Sequence, residues 1–134
     1  MKVLIVDDEI GIREVVKEYC LNEKMDVFEA SNGYEALKLL DNNKDIDIII
    51  LDIMMPKMDG YTLLKEIKKK YSISVIMLSA RSYEYDKLQS FDMGVDDYFT
   101  KPFSPKELLA RIKVVTSRKK IEKKEVSTAE ALSV

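Results

Sequence analysis

At 134 residues, 46% of them hydrophobic, the chain has the size of one domain and enough apolar surface for a real core. Its 22 basic and 24 acidic residues leave a formal charge of −2, which gives no electrostatic reason for this segment to bind nucleic acid. The absence of histidine excludes imidazole acid–base catalysis, histidine metal sites and a phosphohistidine on this chain, and the single cysteine, Cys20, excludes an intrachain disulfide.

The apolar run Lys2 to Val6 reads as a strand and stops at Asp7-Asp8. It is too short for a signal peptide or a membrane span, and the cysteine usage suits a reducing cytosol, so a cytoplasmic protein is expected. Ile10 to Leu21 has Ile12, Val15, Val16 and Tyr19 at helical spacing, with Cys20 an inert buried thiol. Met25 to Ala30 is a second strand. Ser31 or Asn32 then caps a helix carrying Ala36, Leu37, Leu39 and Leu40. Ile46 to Leu51 is a third strand, apolar throughout and so buried on both faces. It ends abruptly at Asp52, and Pro56 prevents its continuation. Asp59-Gly60 turns the chain into a helix with Tyr61, Leu63, Leu64 and Ile67 on one side and Lys68-Lys69-Lys70 at its end, where cations complement the helix dipole.

Ser74 to Leu78 is a fourth strand, ending at Ser79-Ala80. Residues 83 to 93 form a helix with Gly94 as C-cap. Asp97 to Thr100 is a short fifth strand, followed by Lys101-Pro102. Ser104-Pro105-Lys106-Glu107 opens a last helix with the features of a capping box. Leu108, Leu109, Ile112 and Val115 give that helix its apolar stripe. Residues 1–120 form one domain. Residues 121–134, charged and then small and polar, read as a C-terminal linker or tail.

Strands alternating with helices predict a doubly wound, flavodoxin-like α/β fold with five parallel strands in the order 2-1-3-4-5 and five helices. The carboxyl ends of the strands then share one crevice holding Asp7, Asp8, Asp52, Ser79 and Lys101. Each of these is unremarkable alone, since aspartates cap helices and serines end strands. Together they are not. Three adjacent carboxylates repel one another unless a cation joins them, and an all-oxygen set suits Mg²⁺ rather than zinc or copper. Lys101 offers a point charge for phosphate and Ser79 a donor for a phosphoryl oxygen. An aspartate beside such a cation can attack phosphorus.

Val6-Asp7-Asp8-Glu9, Ile50-Leu51-Asp52-Ile53-Met54-Met55-Pro56, Leu78-Ser79-Ala80 and Asp96-Asp97-Tyr98-Phe99-Thr100-Lys101-Pro102-Phe103 resemble the receiver domain of two-component response regulators, over roughly residues 2 to 120. The resemblance implies a phosphorylation-activated signalling switch rather than an enzyme with small-molecule turnover. Asp52 would accept the phosphoryl group from a sensor histidine kinase. Asp8, Asp52 and the Met54 backbone carbonyl would hold Mg²⁺, with Asp7 assisting. Lys101 and Ser79 would grip the phosphoryl group, and Tyr98 would be the switch aromatic. Lys101-Pro102 would be a cis peptide.

A second set of charges resembles the winged-helix (OmpR/PhoB-type) transcription-factor subfamily. That likeness implies a homodimer through the fourth helix, fifth strand and fifth helix, with intermolecular pairs Lys87–Glu107, Asp97–Arg111 and Asp96–Arg118. It also implies control of transcription through an attached or missing DNA-binding domain, this segment being either an excised receiver or a stand-alone one. The alternative is a Mg²⁺-dependent phosphohydrolase with an aspartate nucleophile. Such enzymes place an Asp-x-Asp pattern on the first strand, whereas position 54, two after Asp52, is Met and Asp7-Asp8 are adjacent.

Overall fold

The computed structural model describes the backbone of residues 1–132 and the side chains of residues 1–119 and 121. Its elements are β1 (Lys2–Val6), α1 (Ile10–Asn22), β2 (Asp26–Ala30), α2 (Gly33–Asn42), β3 (Ile48–Leu51), α3 (Gly60–Lys70), β4 (Ser74–Ser79), α4 (Glu84–Asp92), β5 (Asp97–Thr100) and α5 (Pro105–Leu132). The strands form one parallel sheet in the order β2-β1-β3-β4-β5, as the alternating pattern predicts. The expected linker at 121–134 is helical as far as Leu132, and residues 133 and 134 lie outside the described part.

The sheet is buried on both faces because its central strands have no polar side to expose. Alternate residues of β1, β3 and β4 enter opposite layers. Leu4, Val6, Ile49, Leu51, Val75 and Met77 pack with Ala36, Leu40, Leu63, Leu64 and Ile67 of α2 and α3. Val3, Ile5, Ile48, Ile50, Ile76 and Leu78 pack with Val16, Cys20, Leu108, Ile112 and Val115 of α1 and α5. Ile48 to Leu51 are all at zero exposure, and each such side chain contributes about 1.5–3 kcal/mol by leaving water.

Local chemistry sets the helix ends. Asn32, not Ser31, is the N-cap of α2, accepting from Glu35 N at 3.0 Å. Asp59 caps α3 through Thr62 N at 3.0 Å, and Ser104 Oγ accepts from Glu107 N at 3.3 Å at the start of α5. Gly94 follows α4 with φ +95°, a left-handed position that favours glycine. β4 runs one residue further than its apolar stretch, to include Ser79, because it pairs with β5 in the register Ser79↔Thr100. β2 and β3 begin later than their apolar runs, at Asp26 and Ile48, although Met25 and Ile46 are buried where the chain enters the sheet.

Candidate functional site

The sheet delivers the polar residues to one edge. Asp7 directly follows β1, Asp52 follows β3, Ser79 ends β4 and Lys101 follows β5. Parallel pairing continues just past the strands: Asp52 N donates to Val6 O at 3.0 Å, and Lys101 N to Ser79 O at 2.8 Å. Residues separated by half the chain therefore emerge side by side. Lys101-Pro102 is a cis peptide.

The carboxylates of Asp7, Asp8 and Asp52 each place an oxygen within 4.8 Å of the others. Asp7 and Asp52 are buried and Asp8 is exposed. Lys101 Nζ lies 2.8 Å from Asp7 Oδ2, 3.4 Å from Asp52 Oδ2 and 3.2 Å from Glu9 Oε1. Neither Asp7 nor Asp8 caps α1. The N-cap is Glu9, with no side-chain cap bond, and Asp7 Oδ1 instead accepts from Glu9 N at 2.9 Å. The acidic pair is thus left for another task.

Electrostatics make the cluster strained when it holds protein groups alone. Burial, then the neighbouring Asp7 charge, pushes the Asp52 carboxyl up to about 6, against the pull of Lys101 and Met54 N. Burial likewise raises Asp7, with Lys101 and Glu9 N opposing. Burial works to lower the Lys101 ammonium, but Asp7 and Asp52 outweigh it and raise it. One ammonium therefore faces more negative charge than it can neutralise. Asp7 Oδ2 is buried and accepts no aligned hydrogen bond, although the Lys101 ammonium is in ionic contact with it. A buried carboxylate oxygen met by that ammonium alone, in an all-oxygen set with Asp8 and Asp52, fits a hard divalent cation.

The β3–α3 loop folds around Asp52. Met54 N donates to Asp52 Oδ1 at 3.2 Å. Gly60 N returns to Ile53 O at 2.7 Å, and a Cβ on Gly60 would lie only 2.4 Å from Asp52 O. Only glycine allows α3 to start against the backbone of Asp52. The side chain of Met54 is exposed and, with Asp8, Lys65 and Arg81, lines an open cleft.

Ser79 is fully buried, and its Oγ accepts from Arg81 N at 3.2 Å rather than bonding Asp52. Tyr98 is half-buried and donates its hydroxyl to Arg81 O at 2.7 Å. Burial raises the Tyr98 phenol, and Ser79 and Tyr98 both bond the backbone of Arg81, at its N–H and its carbonyl. Of the charges expected in an intermolecular set, Asp97 and Arg111 pair within the chain, Nε to Oδ2 at 2.6 Å. Asp96 Oδ2 accepts from Val75 N at 2.9 Å and shares a surface hollow with Arg118. Lys87 and Glu107 have no ion pair among the described residues.

The sequence reading gave no role to Glu9, the third ligand of the Lys101 ammonium, or to Arg13, whose Nη1 donates to Asp7 O at 2.7 Å. The acidic run Asp7-Asp8-Glu9 was a signal for the first. Nothing in local spacing marked the second.

Fold and edge together define a doubly wound α/β domain with a carboxylate–lysine centre at the carboxyl ends of its strands. The family model for the response regulator receiver domain matches residues 3–113, and the chain belongs to that family, the phosphoryl-accepting switches of two-component systems. It is 40% identical over 132 residues to the transcriptional regulatory protein CpxR homolog of Haemophilus influenzae, covering 98% of this chain and 57% of that protein. It is 41% identical to the alkaline phosphatase synthesis transcriptional regulatory protein PhoP of Bacillus subtilis, covering 90% of this chain and 50% of that one. The chain thus spans about half the length of the curated relatives it matches. Among solved structures it is similar to the receiver domain of Francisella response regulator 1452, with a TM-score of 0.82, 39% identity and coverage of 88% and 98%. It is also similar to the BeF3-activated receiver domain of Klebsiella pneumoniae RstA, with a TM-score of 0.81, 28% identity and coverage of 87% and 98%. The phosphohydrolase alternative is not favoured by any of these. No helix among the described residues is long and apolar enough to cross a membrane.

Proposed function

We propose that Asp52 is the phosphoacceptor of this receiver domain, served by Mg²⁺ held at Asp7, Asp8, Asp52 and the Met54 backbone carbonyl. The observation that carries this is the three-carboxylate cluster with Lys101 Nζ 3.4 Å from Asp52. A carboxylate oxygen of Asp52 forms a bond to phosphorus while the bond from phosphorus to the donor's imidazole nitrogen breaks. The electron pair leaves with that nitrogen. The bound cation supplies charge compensation for the phosphoryl oxygens. Met54 N–H orients the carboxylate. Lys101, held here by Asp7 and Glu9, has an ammonium that can shift to a phosphoryl oxygen.

Ser79 then exchanges its bond with Arg81 N for one to the phosphate, and Tyr98, its neighbour, follows. That movement alters the surface of α4, β5 and α5. The protein is cytoplasmic, takes its phosphate from a sensor histidine kinase, and controls transcription through a DNA-binding domain outside this segment. The curated relatives are named as transcriptional regulators and are about twice as long, which supports this reading. In the phosphorylated state two copies associate through α4, β5 and α5, the Asp97–Arg111 pair exchanging partners, with Lys87–Glu107 and Asp96–Arg118 added. Incubation with acetyl phosphate and Mg²⁺ should give hydroxylamine-labile phosphate on the wild type. Label that forms in EDTA without Mg²⁺, or that forms undiminished in Asp52→Asn, would overturn the assignment. Sedimentation with and without beryllofluoride tests the dimer, and a monomer in both states removes it.

A further inference from the structure

Arg13 lies in the first turn of α1, and its guanidinium reaches back under the three-residue loop that carries Asp7 and Asp8. Nη1 donates to the Asp7 backbone carbonyl at 2.7 Å, while Nε donates to Glu29 Oε1 at 3.3 Å. Only 14% of the side chain is exposed. Glu29 belongs to β2, and Lys17, one turn further along α1, holds its other oxygen at 3.3 Å. A half-buried fork thus ties the end of β1, the penultimate residue of β2 and the start of α1 together. The Asp8 carboxylate makes no hydrogen bond among the described residues, so its place in the acidic cluster depends on the backbone beneath it.

We propose that Arg13 is a positioning residue for the cation site: it fixes the Asp7 carbonyl and so keeps the Asp7 and Asp8 carboxylates turned toward Asp52. The proposal rests on the reading of that cluster as a Mg²⁺ site. Two effects of removing Arg13 oppose each other. Loss of a positive charge near three carboxylates favours a cation; loss of orientation disfavours it. Arg13 is already paired with Glu29, so its net field at the cluster is small and orientation decides. Groups that orient metal ligands from behind change affinity by about 10–100-fold.

The test is calorimetric titration of MgCl2 into the whole chain, for the wild type, Arg13→Met, Arg13→Lys, Glu29→Gln and Asp8→Asn. Arg13→Met keeps the aliphatic stem and should bind Mg²⁺ about tenfold more weakly. Arg13→Lys keeps the charge but cannot make both directed bonds, so it should also weaken binding. Glu29→Gln should weaken it less, in the same direction. The Mg²⁺ concentration for half-maximal phosphorylation by acetyl phosphate should rise in step, with the rate at saturating Mg²⁺ close to wild type. A general loss of structure would lower that saturating rate instead. Should Arg13→Met not fold, the Lys and Gln variants decide. Unchanged or tighter Mg²⁺ binding in folded Arg13 variants overturns the proposal alone. Unchanged binding in Asp8→Asn overturns the cation site as well.

Discussion

Replacing Asp52 by Asn should stabilise the metal-free protein. The Asp52 carboxyl is pushed from 3.8 to about 6, chiefly by burial and then by Asp7. At 1.36 kcal/mol per unit, a shift of this size corresponds to about 3 kcal/mol of folding stability lost when the group is ionised. The side chain is 3% exposed, so solvent screening does little to reduce it. The sign follows from linkage. Between pH 3.8 and about 6 the native state binds more protons than the unfolded chain, so the Asp52 contribution to stability falls as pH rises through that window. Above it the full penalty stands; below about pH 4 it is absent. Asparagine can still accept from Met54 N and carries no charge. In EDTA at pH 7.5, Asp52→Asn should melt about 10 °C above the wild type. The two curves should converge as the pH approaches 4. Saturating Mg²⁺ should narrow the gap by binding the wild-type native state. An Asn variant that melts at or below the wild type in EDTA would refute the claim that the cluster is electrostatically overloaded.

Lys101→Met leaves Asp7 and Asp52 without their ammonium and should cost about 3 kcal/mol or more in EDTA, much of it recovered by Mg²⁺; urea titrations under both conditions check this. The same variant, once phosphorylated, should show no phosphate-dependent change in the α4–β5–α5 surface by amide exchange. Gly60→Ala places a methyl 2.4 Å from Asp52 O, so it should lose about 1–3 kcal/mol and phosphorylate slowly; wild-type stability and rate would show that α3 can retreat at no cost. Burial pushes the Cys20 thiol up to about 11, so a disulfide reagent at pH 8 should label it only in denaturant, and fast labelling of the native chain would contradict its burial between α1 and α5.

Much of the fold and of the site is legible in the amino-acid sequence. Ile48 to Leu51 could only be a strand covered on both sides, because no polar residue interrupts it. Alternating β and α elements imply a parallel sheet with right-handed crossovers, and it is the strand order 2-1-3-4-5 that brings Asp7, Asp52 and Lys101 to one edge. What could not be read was which oxygen faces which donor. Two adjacent acids at a helix start look alike in a string of letters, yet Asp7 is buried against Lys101 and Asp8 faces solvent. Asp97 and Arg111 suggested a bond between molecules; 14 residues apart, they instead pair within one chain, Nε to Oδ2. Arg13 was invisible because its contacts with Asp7 O and Glu29 are made across the sheet's end, at no sequence spacing that any helix or strand repeats.

Among these carboxylates, Asp52 is the one proposed to form the bond to phosphorus. Intact-mass spectrometry after acetyl phosphate and Mg²⁺, with peptide mapping, tests it most directly. One added phosphoryl group on the peptide bearing Asp52, missing in EDTA and missing in Asp52→Asn, is the predicted result. A phosphoryl group mapped to any other residue of the wild type, or an Asn variant labelled to the same extent, would contradict the account.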